Sequence, residues 1–121
     1  MVGRVSKAKR PKRRWIGLSV SSAIQSRSEL ADVFASPSFS TLGLKVYDFH
    51  VPQSSEAEQF RARHELQDDV GVAIVRVLLR DYEDLRALLQ SGEQDLVASI
   101  TSSGKIRLVR ERLGLPKPSR K

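Results

Sequence analysis

The most apolar of the predicted strands, Val70–Leu79 (VGVAIVRVLL), sets the strongest limit on what this chain can fold into. A run of this length that is almost entirely apolar indicates a central strand of a sheet, because neighbouring elements must cover it. Arg76 is the only charge in the run, and a charged side chain is seldom fully buried without a partner. We therefore expect Arg76 to reach an edge, an acidic side chain or a phosphate.

Three other stretches are rich in β-formers or alternate between apolar and less apolar residues, which predicts strands. They are Arg13–Ser21, Leu44–Val51 and Leu96–Thr101. In the second of these, regular alternation predicts that Tyr47 and Phe49 lie on one side of the strand. The sequence therefore contains four predicted strands, enough for one small sheet.

Apolar residues at helical spacing predict helices between and after the strands. The expected helices are one opened by a capping pattern at Ser26–Glu29 and ended by Pro37, one from Asp81 to Gly92, and a basic one from Ile106 to Leu113. The segment 53–66 has a second capping pattern, Ser55 to Glu58, and predicts a short helix or an ordered excursion between two strands. Asp68 and Asp69 are interpreted as turn residues, because neighbouring strand residues point to opposite faces and do not share a metal easily.

This order of elements predicts an α+β fold, a two-layer RNA-recognition-motif-like (ferredoxin-like) sandwich. It has the order β-α-β-β-α-β, a four-stranded antiparallel sheet and an added C-terminal basic helix. RNA-recognition motifs usually carry aromatic residues on their central strands, but Val70–Leu79 has none. Trp15 on the first strand either packs against the fold, which we favour, or stacks on a base. We therefore expect nucleic-acid contacts to come from the basic ends.

The length of 121 residues predicts one folded domain. We expect a flexible basic arm at 1–12, the domain at 13–114 and a flexible basic tail at 115–121. No apolar run approaches the ~20 residues of a membrane-spanning helix, and no apolar segment follows the N-terminal charges as in a secretory signal. The chain has no cysteine, which excludes disulfides and thiolate metal sites.

Positive charge is concentrated at the two ends of the chain. Residues 1–14 hold seven basic and no acidic residues, residues 105–121 hold seven basic and one acidic, and the part between is net acidic. The whole chain carries a formal net charge of +7. Segregated positive charge of this kind favours a polyanionic partner, in particular a nucleic acid, over a purely solvated surface.

The basic helix follows a Ser-Ser-Gly turn that leaves the last strand. The first amides of a helix lack internal partners and favour an anion, so this turn predicts a corner that faces phosphates. The candidate RNA-binding residues are Lys9, Arg10, Lys12, Arg13, Arg14, Ser103, Gly104, Lys105, Arg107, Arg110 and Arg112.

No set of residues in the sequence indicates a protein active site. There is no Ser-His-Asp candidate set, cysteine nucleophile or phosphate-binding loop. His50 and His64 lack the spacing of a metal site and are interpreted as surface histidines. We therefore predict no catalytic residue, no metal site and no cofactor bound by the protein.

Four stretches carry a resemblance to a known family. They are the basic run into an aromatic strand at 12–16 (KRRWI), the strand end at 73–76 (AIVR), the following helix at 82–86 (YEDLR), and the turn into the basic helix at 103–107 (SGKIR). In this order and spacing, the chain resembles the ribonuclease P protein component 2 family, the small protein subunits of archaeal and eukaryotic ribonuclease P.

The resemblance implies a non-catalytic, RNA-binding subunit with an RNA-recognition-motif-like fold. Such a subunit supports an RNA catalyst that uses Mg²⁺ to remove the 5′ leader from precursor tRNA, and it braces the catalytic domain of that RNA. The implied partners are the ribonuclease P RNA, protein component 3, other ribonuclease P proteins and, indirectly, precursor tRNA. The pair with component 3 would form a heterotetramer through a component 2 dimer. The short tail favours an archaeal, cytoplasmic member, whereas a eukaryotic member would be nuclear or nucleolar.

Two other classes of function fit parts of the sequence. A ribosomal or other ribonucleoprotein structural protein would hold rRNA through the same basic ends. A small ferredoxin-like regulatory domain would instead have a metabolite pocket and little affinity for RNA, which the basic ends disfavour. Co-purification with one RNA species rather than with ribosomes separates the first alternative from ribonuclease P.

Overall fold

The computed structural model describes residues 12–37, 39–90 and 96–115. Its strands are β1 (Arg13–Val20), β2 (Lys45–His50), β3 (Gly71–Leu78) and β4 (Val97–Ser103). Its α-helices are α1 (Arg27–Ala35), α2 (Ser55–His64), α3 (Leu79–Gln90) and α4 (Ile106–Leu113), and a single 3₁₀ turn covers Ser40–Leu42. The predicted strands are all present, with bounds that differ by at most two residues.

The four strands form one antiparallel sheet in the order β2-β3-β1-β4. β3 and β1 are therefore the inner strands, and the apolar run at 71–75 is buried, as its composition predicts. With the order β-α-β-β-α-β, this strand order is that of a ferredoxin-like sandwich. The predicted α+β fold class is confirmed.

The first face of the sheet packs against α1 and α3 and forms the two-layer core of the sandwich. Ser26 caps α1 by accepting a hydrogen bond from the Glu29 amide at 3.1 Å, and the Glu29 carboxylate accepts one from the Gln25 amide at 2.6 Å. The predicted capping pattern is thus present. The buried side chains of this core include Ile16, Leu18, Val20, Leu30, Phe34, Ala73, Val75, Val77, Leu85 and Val97.

The second face of the sheet is covered in part by α2 and α4, the two elements outside the ferredoxin-like pattern. Their apolar residues close a second core over the sheet, made of Ala57, Phe60, Val72, Ile74, Val109, Leu113 and Leu115. Gly17 allows α4 to come close to β1, because a Cβ built on Gly17 would lie only 2.8 Å from the Leu113 methyl groups. Because both faces of the sheet are covered, β3 carries buried apolar side chains on both of its sides.

The segment 53–66 contains a complete helix rather than an irregular excursion. Ser54 is the N-cap of α2 and accepts a hydrogen bond from the Ala57 amide at 3.1 Å, so the cap lies one residue before the predicted Ser55. Arg61 fixes the loops around α2, because its guanidinium donates to the carbonyls of Pro52 at 2.9 Å and Val70 at 2.7 Å.

A β-bulge changes the expected direction of one side chain on β2. The pairing of β2 with β3 shifts between Val46 and Asp48, which inserts Tyr47 as an extra residue. Tyr47 therefore contacts Trp15 on the second face, whereas Phe49 packs in the core of the first face. The prediction that Tyr47 and Phe49 share a side was wrong, because a bulge breaks the alternation of a regular strand.

Two other predicted boundaries differ from the structure. α3 begins at Leu79, directly after β3, and Asp81 lies in its first turn instead of capping it. The Leu79 amide donates to the Lys12 carbonyl at 2.7 Å, which ties this strand-to-helix junction to the start of β1. Leu115, placed in the tail by sequence, is buried in the core of the second face. The predicted end of α3 at Gly92, most of the arm at 1–12 and the tail beyond Leu115 lie outside the described residues.

Candidate nucleic-acid interface

The pairing of β1 with β4 brings the end of the N-terminal basic segment close to the start of the basic helix. Trp15 pairs with Ser103, so the residues just before Trp15 lie beside those just after Ser103. An open concavity of about 440 Å³ lies at this end of the sheet, between Lys12, Arg13, Arg14, Leu79 and Gly104. We call the residues Lys12, Arg13, Arg14, Ser103, Gly104 and Lys105 the basic corner.

The turn from β4 into α4 leaves the start of the helix open to solvent. The Ser103 hydroxyl accepts a hydrogen bond from the Lys105 amide at 3.1 Å, and Lys105 is the N-cap of α4 without a side-chain capping bond. Gly104 is exposed, and a Cβ at this position would meet nothing within 4 Å. Lys105 therefore carries its exposed charge beside the open N-terminus of α4.

Arg13 and Arg14 lie on opposite faces of the sheet, as neighbouring strand residues must. The Arg14 guanidinium lies 5.2 Å from the centre of the Tyr82 ring on the first face. The Tyr82 hydroxyl in turn forms a 2.6 Å hydrogen bond with the Ser102 hydroxyl on β4. Arg14 is thus partly held by packing, whereas Arg13 is exposed at the rim of the second face.

The three predicted arginines of α4 have different surroundings. Arg107 is exposed near the basic corner. Arg110 pairs with the Asp48 carboxylate on β2, and both side chains are only about one-fifth exposed. Arg112 donates to the Ser102 carbonyl at 3.0 Å, and its own carbonyl accepts from His64 of α2 at 2.7 Å. Lys9 and Arg10 lie outside the described residues.

A group of aromatic and basic side chains on the second face was not among the residues predicted from sequence. Its members are Trp15, Lys45, Tyr47 and Arg76, which we call the aromatic–cation cluster. The Trp15 and Tyr47 rings meet edge to face with centres 4.6 Å apart. Lys45 Nζ lies 5.5 Å and the Arg76 guanidinium 5.9 Å from the centre of the Tyr47 ring.

Register explains why these four side chains meet. Arg76 pairs with Trp15 on one side and with Lys45 on the other, so one row crosses β2, β3 and β1. The bulge then turns Tyr47 towards this row. In the sequence, Trp15 and Arg76 were each visible as unusual strand residues, but nothing local indicated that Tyr47 would join them.

Asp48, His50 and Glu56 form a second polar group where β2 meets α2. His50 lies 3.9 Å from both carboxylates, and Asp48 is already paired with Arg110. Among the described residues, no group of three or more His, Cys, Asp or Glu side chains is arranged to hold a metal ion. These contacts join α2 and α4 to β2.

None of the helices within the described ranges is long and apolar enough to cross a membrane. Several concavities in this part of the chain are partly open to solvent. One of about 570 Å³ lies between α1 and β2 and includes Arg27, Phe34 and Lys45 in its lining. Within residues 12–37, 39–90 and 96–115, the basic corner and the aromatic–cation cluster are the two features that stand out as candidate binding surfaces.

No family model matches this chain, and no curated protein matches its sequence significantly. Inferences about its function therefore depend on its own residues and on the four stretches described above.

Proposed function

We propose that this protein is a non-catalytic, RNA-binding subunit of ribonuclease P that supports RNA-catalysed removal of the 5′ leader from precursor tRNA. One observation carries the RNA-binding part of this proposal. The β1–β4 pairing brings the basic residues at the start of β1 beside the turn that carries Lys105. The order of the four sequence stretches supports the choice of ribonuclease P among RNA partners.

In this proposal the protein acts by neutralising and positioning backbone phosphates of a folded RNA. Lys12, Arg13, Lys105, Arg107 and Arg112 are the exposed cations at or near the corner, while Arg110 is neutralised by Asp48. About five phosphate contacts would make log affinity fall with log salt concentration with a slope near −4.5 on a duplex-like RNA. Fixed cations brace the RNA and lower the Mg²⁺ concentration that its catalytic domain requires.

The resemblance also supplies the proposed partners and location. The protein would work beside component 3 and the other ribonuclease P proteins, as one half of a dimer within a heterotetramer. The Mg²⁺ used in cleavage would belong to the RNA. The site of action would be the cytoplasm in an archaeon and the nucleus or nucleolus in a eukaryote.

The first prediction is that the wild-type protein raises the rate of precursor tRNA cleavage by reconstituted ribonuclease P and lowers its Mg²⁺ requirement. Cleavage is measured with and without this chain at limiting Mg²⁺. The double variant Lys105→Ala/Arg107→Ala should lower RNA affinity roughly tenfold and reduce the salt slope by about two, because each substitution removes one phosphate contact.

Arg86→Ala is the matched control for Arg107→Ala. Arg86 is also an exposed helix arginine, but it lies on α3 over the first face and pairs loosely with Glu83 at 3.7 Å. Its loss removes the same charge and should leave RNA affinity nearly unchanged. If the wild-type protein does not alter cleavage but co-purifies with ribosomes, the assignment to ribonuclease P is wrong and an rRNA-binding role replaces it.

A further inference from the structure

The exposed end of the second face combines an aromatic surface with positive charge. Tyr47 is one of only two large hydrophobic side chains exposed among the described residues, with 37% of its surface accessible. Lys45 and Arg76 approach its ring, and Trp15 supports it from the side. On the same face of β3, Val72 and Ile74 precede Arg76 and are fully buried. The helices therefore cover most of this face but leave the aromatic–cation cluster accessible.

We propose that the aromatic–cation cluster binds an unpaired RNA nucleotide, with the base stacked on Tyr47 and the adjoining phosphate held by Lys45 and Arg76. Stacking on an aromatic ring accepts any base, because every base has a π-face. Cations beside the ring complement the phosphate that accompanies each base. An apolar peptide would offer no negative charge to Lys45 and Arg76. A nucleotide offers both a base that stacks on the ring and a phosphate that pairs with the cations.

The geometry favours an unpaired nucleotide over a duplex. Bases in an A-form helix are stacked on each other, so their faces are not available to a tyrosine ring. An unpaired base in a loop or bulge can turn out and lie on Tyr47. The acid next to Tyr47 on β2, Asp48, is paired with Arg110 and so repels a nearby phosphate less.

The cluster is continuous with the basic corner. Lys45, Arg76, Trp15 and Ser103 occupy one row that crosses all four strands. At about 4.8 Å between strands, this row is roughly 14 Å wide. One RNA segment can therefore place phosphates at the corner and an unpaired base on Tyr47. The inference rests on the proposed RNA-binding function and adds to it the kind of RNA element that this surface recognises.

The bulge on β2 supports a binding role for Tyr47. In a regular strand Tyr47 and Asp48 would point to opposite faces, but here both face the second layer, where they contact Trp15 and Arg110. Bulges are frequent where a strand re-aims a side chain at a site. The added residue thus gives β2 both a structural contact to α4 and an exposed ring.

The second prediction uses Trp15, the only tryptophan of the chain, as a fluorescent reporter. The probe is a ten-nucleotide oligouridylate, with a blunt RNA duplex of the same length for comparison. We expect saturable quenching of Trp15 by the single strand and less by the duplex. Tyr47→Leu should weaken single-strand binding roughly tenfold because it removes one base stack, while Tyr47→Phe should keep it.

Charge and fold controls accompany this experiment. Lys45→Ala should reduce the salt slope of oligouridylate binding by about one, and Arg86→Ala should not. Each variant is compared with wild type by far-UV circular dichroism and thermal unfolding. Because Tyr47 is exposed, Tyr47→Leu should retain the wild-type spectrum. Should it lose that spectrum, the Tyr47→Phe and Lys45→Ala measurements decide the test.

The failure of this inference is distinguishable from failure of the proposed function. Equal single-strand affinity for wild type and Tyr47→Leu overturns the nucleotide site, even if Lys105→Ala/Arg107→Ala weakens RNA binding. A Tyr47→Leu variant that loses self-association or a protein partner, but keeps oligouridylate affinity, also overturns it. If single-strand binding depends on Tyr47 but the protein does not affect precursor tRNA cleavage, the site stands and the ribonuclease P assignment falls.

Discussion

Gly17 lies in a tightly packed contact, whereas Gly104 lies in open space. Substitution of each by alanine therefore tests packing at one site and exposure at the other. Gly17 lies beneath Leu113, where a Cβ would approach the leucine methyl groups to 2.8 Å. Leu113 is fully buried, so a shift of its side chain would disturb the core of the second face. Gly104 in the basic corner has open space around it. At Gly17 the lack of a side chain lets α4 pack closely on β1. At Gly104 a side chain could be added without meeting a neighbour.

The third prediction is that Gly17→Ala destabilises the protein by about 1–3 kcal/mol through overpacking of α4 against β1. Gly104→Ala is the control and should change the free energy of unfolding by less than about 0.5 kcal/mol, as an exposed substitution does. Urea unfolding measures both. Equal stability of the two variants would mean that α4 does not press on β1 at Gly17.

At the scale of elements, α4 serves both as a structural helix and as the carrier of basic residues. Arg110 binds Asp48 of β2, whereas Arg107 is exposed near the corner. The same helix thus packs against the second face of the sheet and presents an exposed positive charge to solvent. The sequence contains no signal that distinguishes the two arginines, because the partner of Arg110 lies more than 60 residues away.

The fourth prediction is that Arg110→Ala lowers the free energy of unfolding but changes RNA affinity little. Removing Arg110 leaves the Asp48 carboxylate half-buried without its partner, which should cost about 1–2 kcal/mol at this partial exposure. The double variant Asp48→Asn/Arg110→Ala should recover part of the loss in a double-mutant cycle. RNA titrations serve as the second readout. A drop in RNA affinity as large as that of Arg107→Ala, without loss of stability, would assign Arg110 to the phosphates instead.

At the scale of the whole molecule, two apolar cores share one sheet. Ile16 and Val75 face α1 and α3, while Val72 and Ile74 face α2 and α4. Because β1 and β3 contribute to both cores, loss of one core exposes strands on which the other depends. The second-face helices are therefore expected to unfold together with the sandwich rather than as a separate layer.

The fifth prediction concerns Phe60, which is fully buried between α2 and the sheet. Phe60→Ala should lower the free energy of unfolding by about 3–5 kcal/mol because it leaves a large cavity. Unfolding followed by Trp15 fluorescence and by far-UV circular dichroism should give coincident transitions. An earlier fluorescence transition would indicate that α2 and α4 detach first and that the two cores are independent.

Much of the fold and part of the candidate site followed from local sequence. The apolar run at 71–78, the capping pattern at Ser26 and the turn before α4 each act over a few residues, so they predicted element type and order. The basic residues of the corner were recognisable as two charged segments. These segments are adjacent because β1 and β4 pair in antiparallel fashion. The predicted fold implied this pairing, but it did not specify the register.

The order of elements, the central position of β3 and the segregation of positive charge depend on periodicity and composition, so they could be predicted from the sequence. Three features are visible only in the folded chain: α2 and α4 cover the second face, Asp48 neutralises Arg110, and Tyr47 joins Trp15 and Arg76. The first depends on packing of helices against the sheet, and the other two depend on strand register and on the bulge in β2. Register is set by contacts between residues far apart in the chain, so no local pattern encodes it.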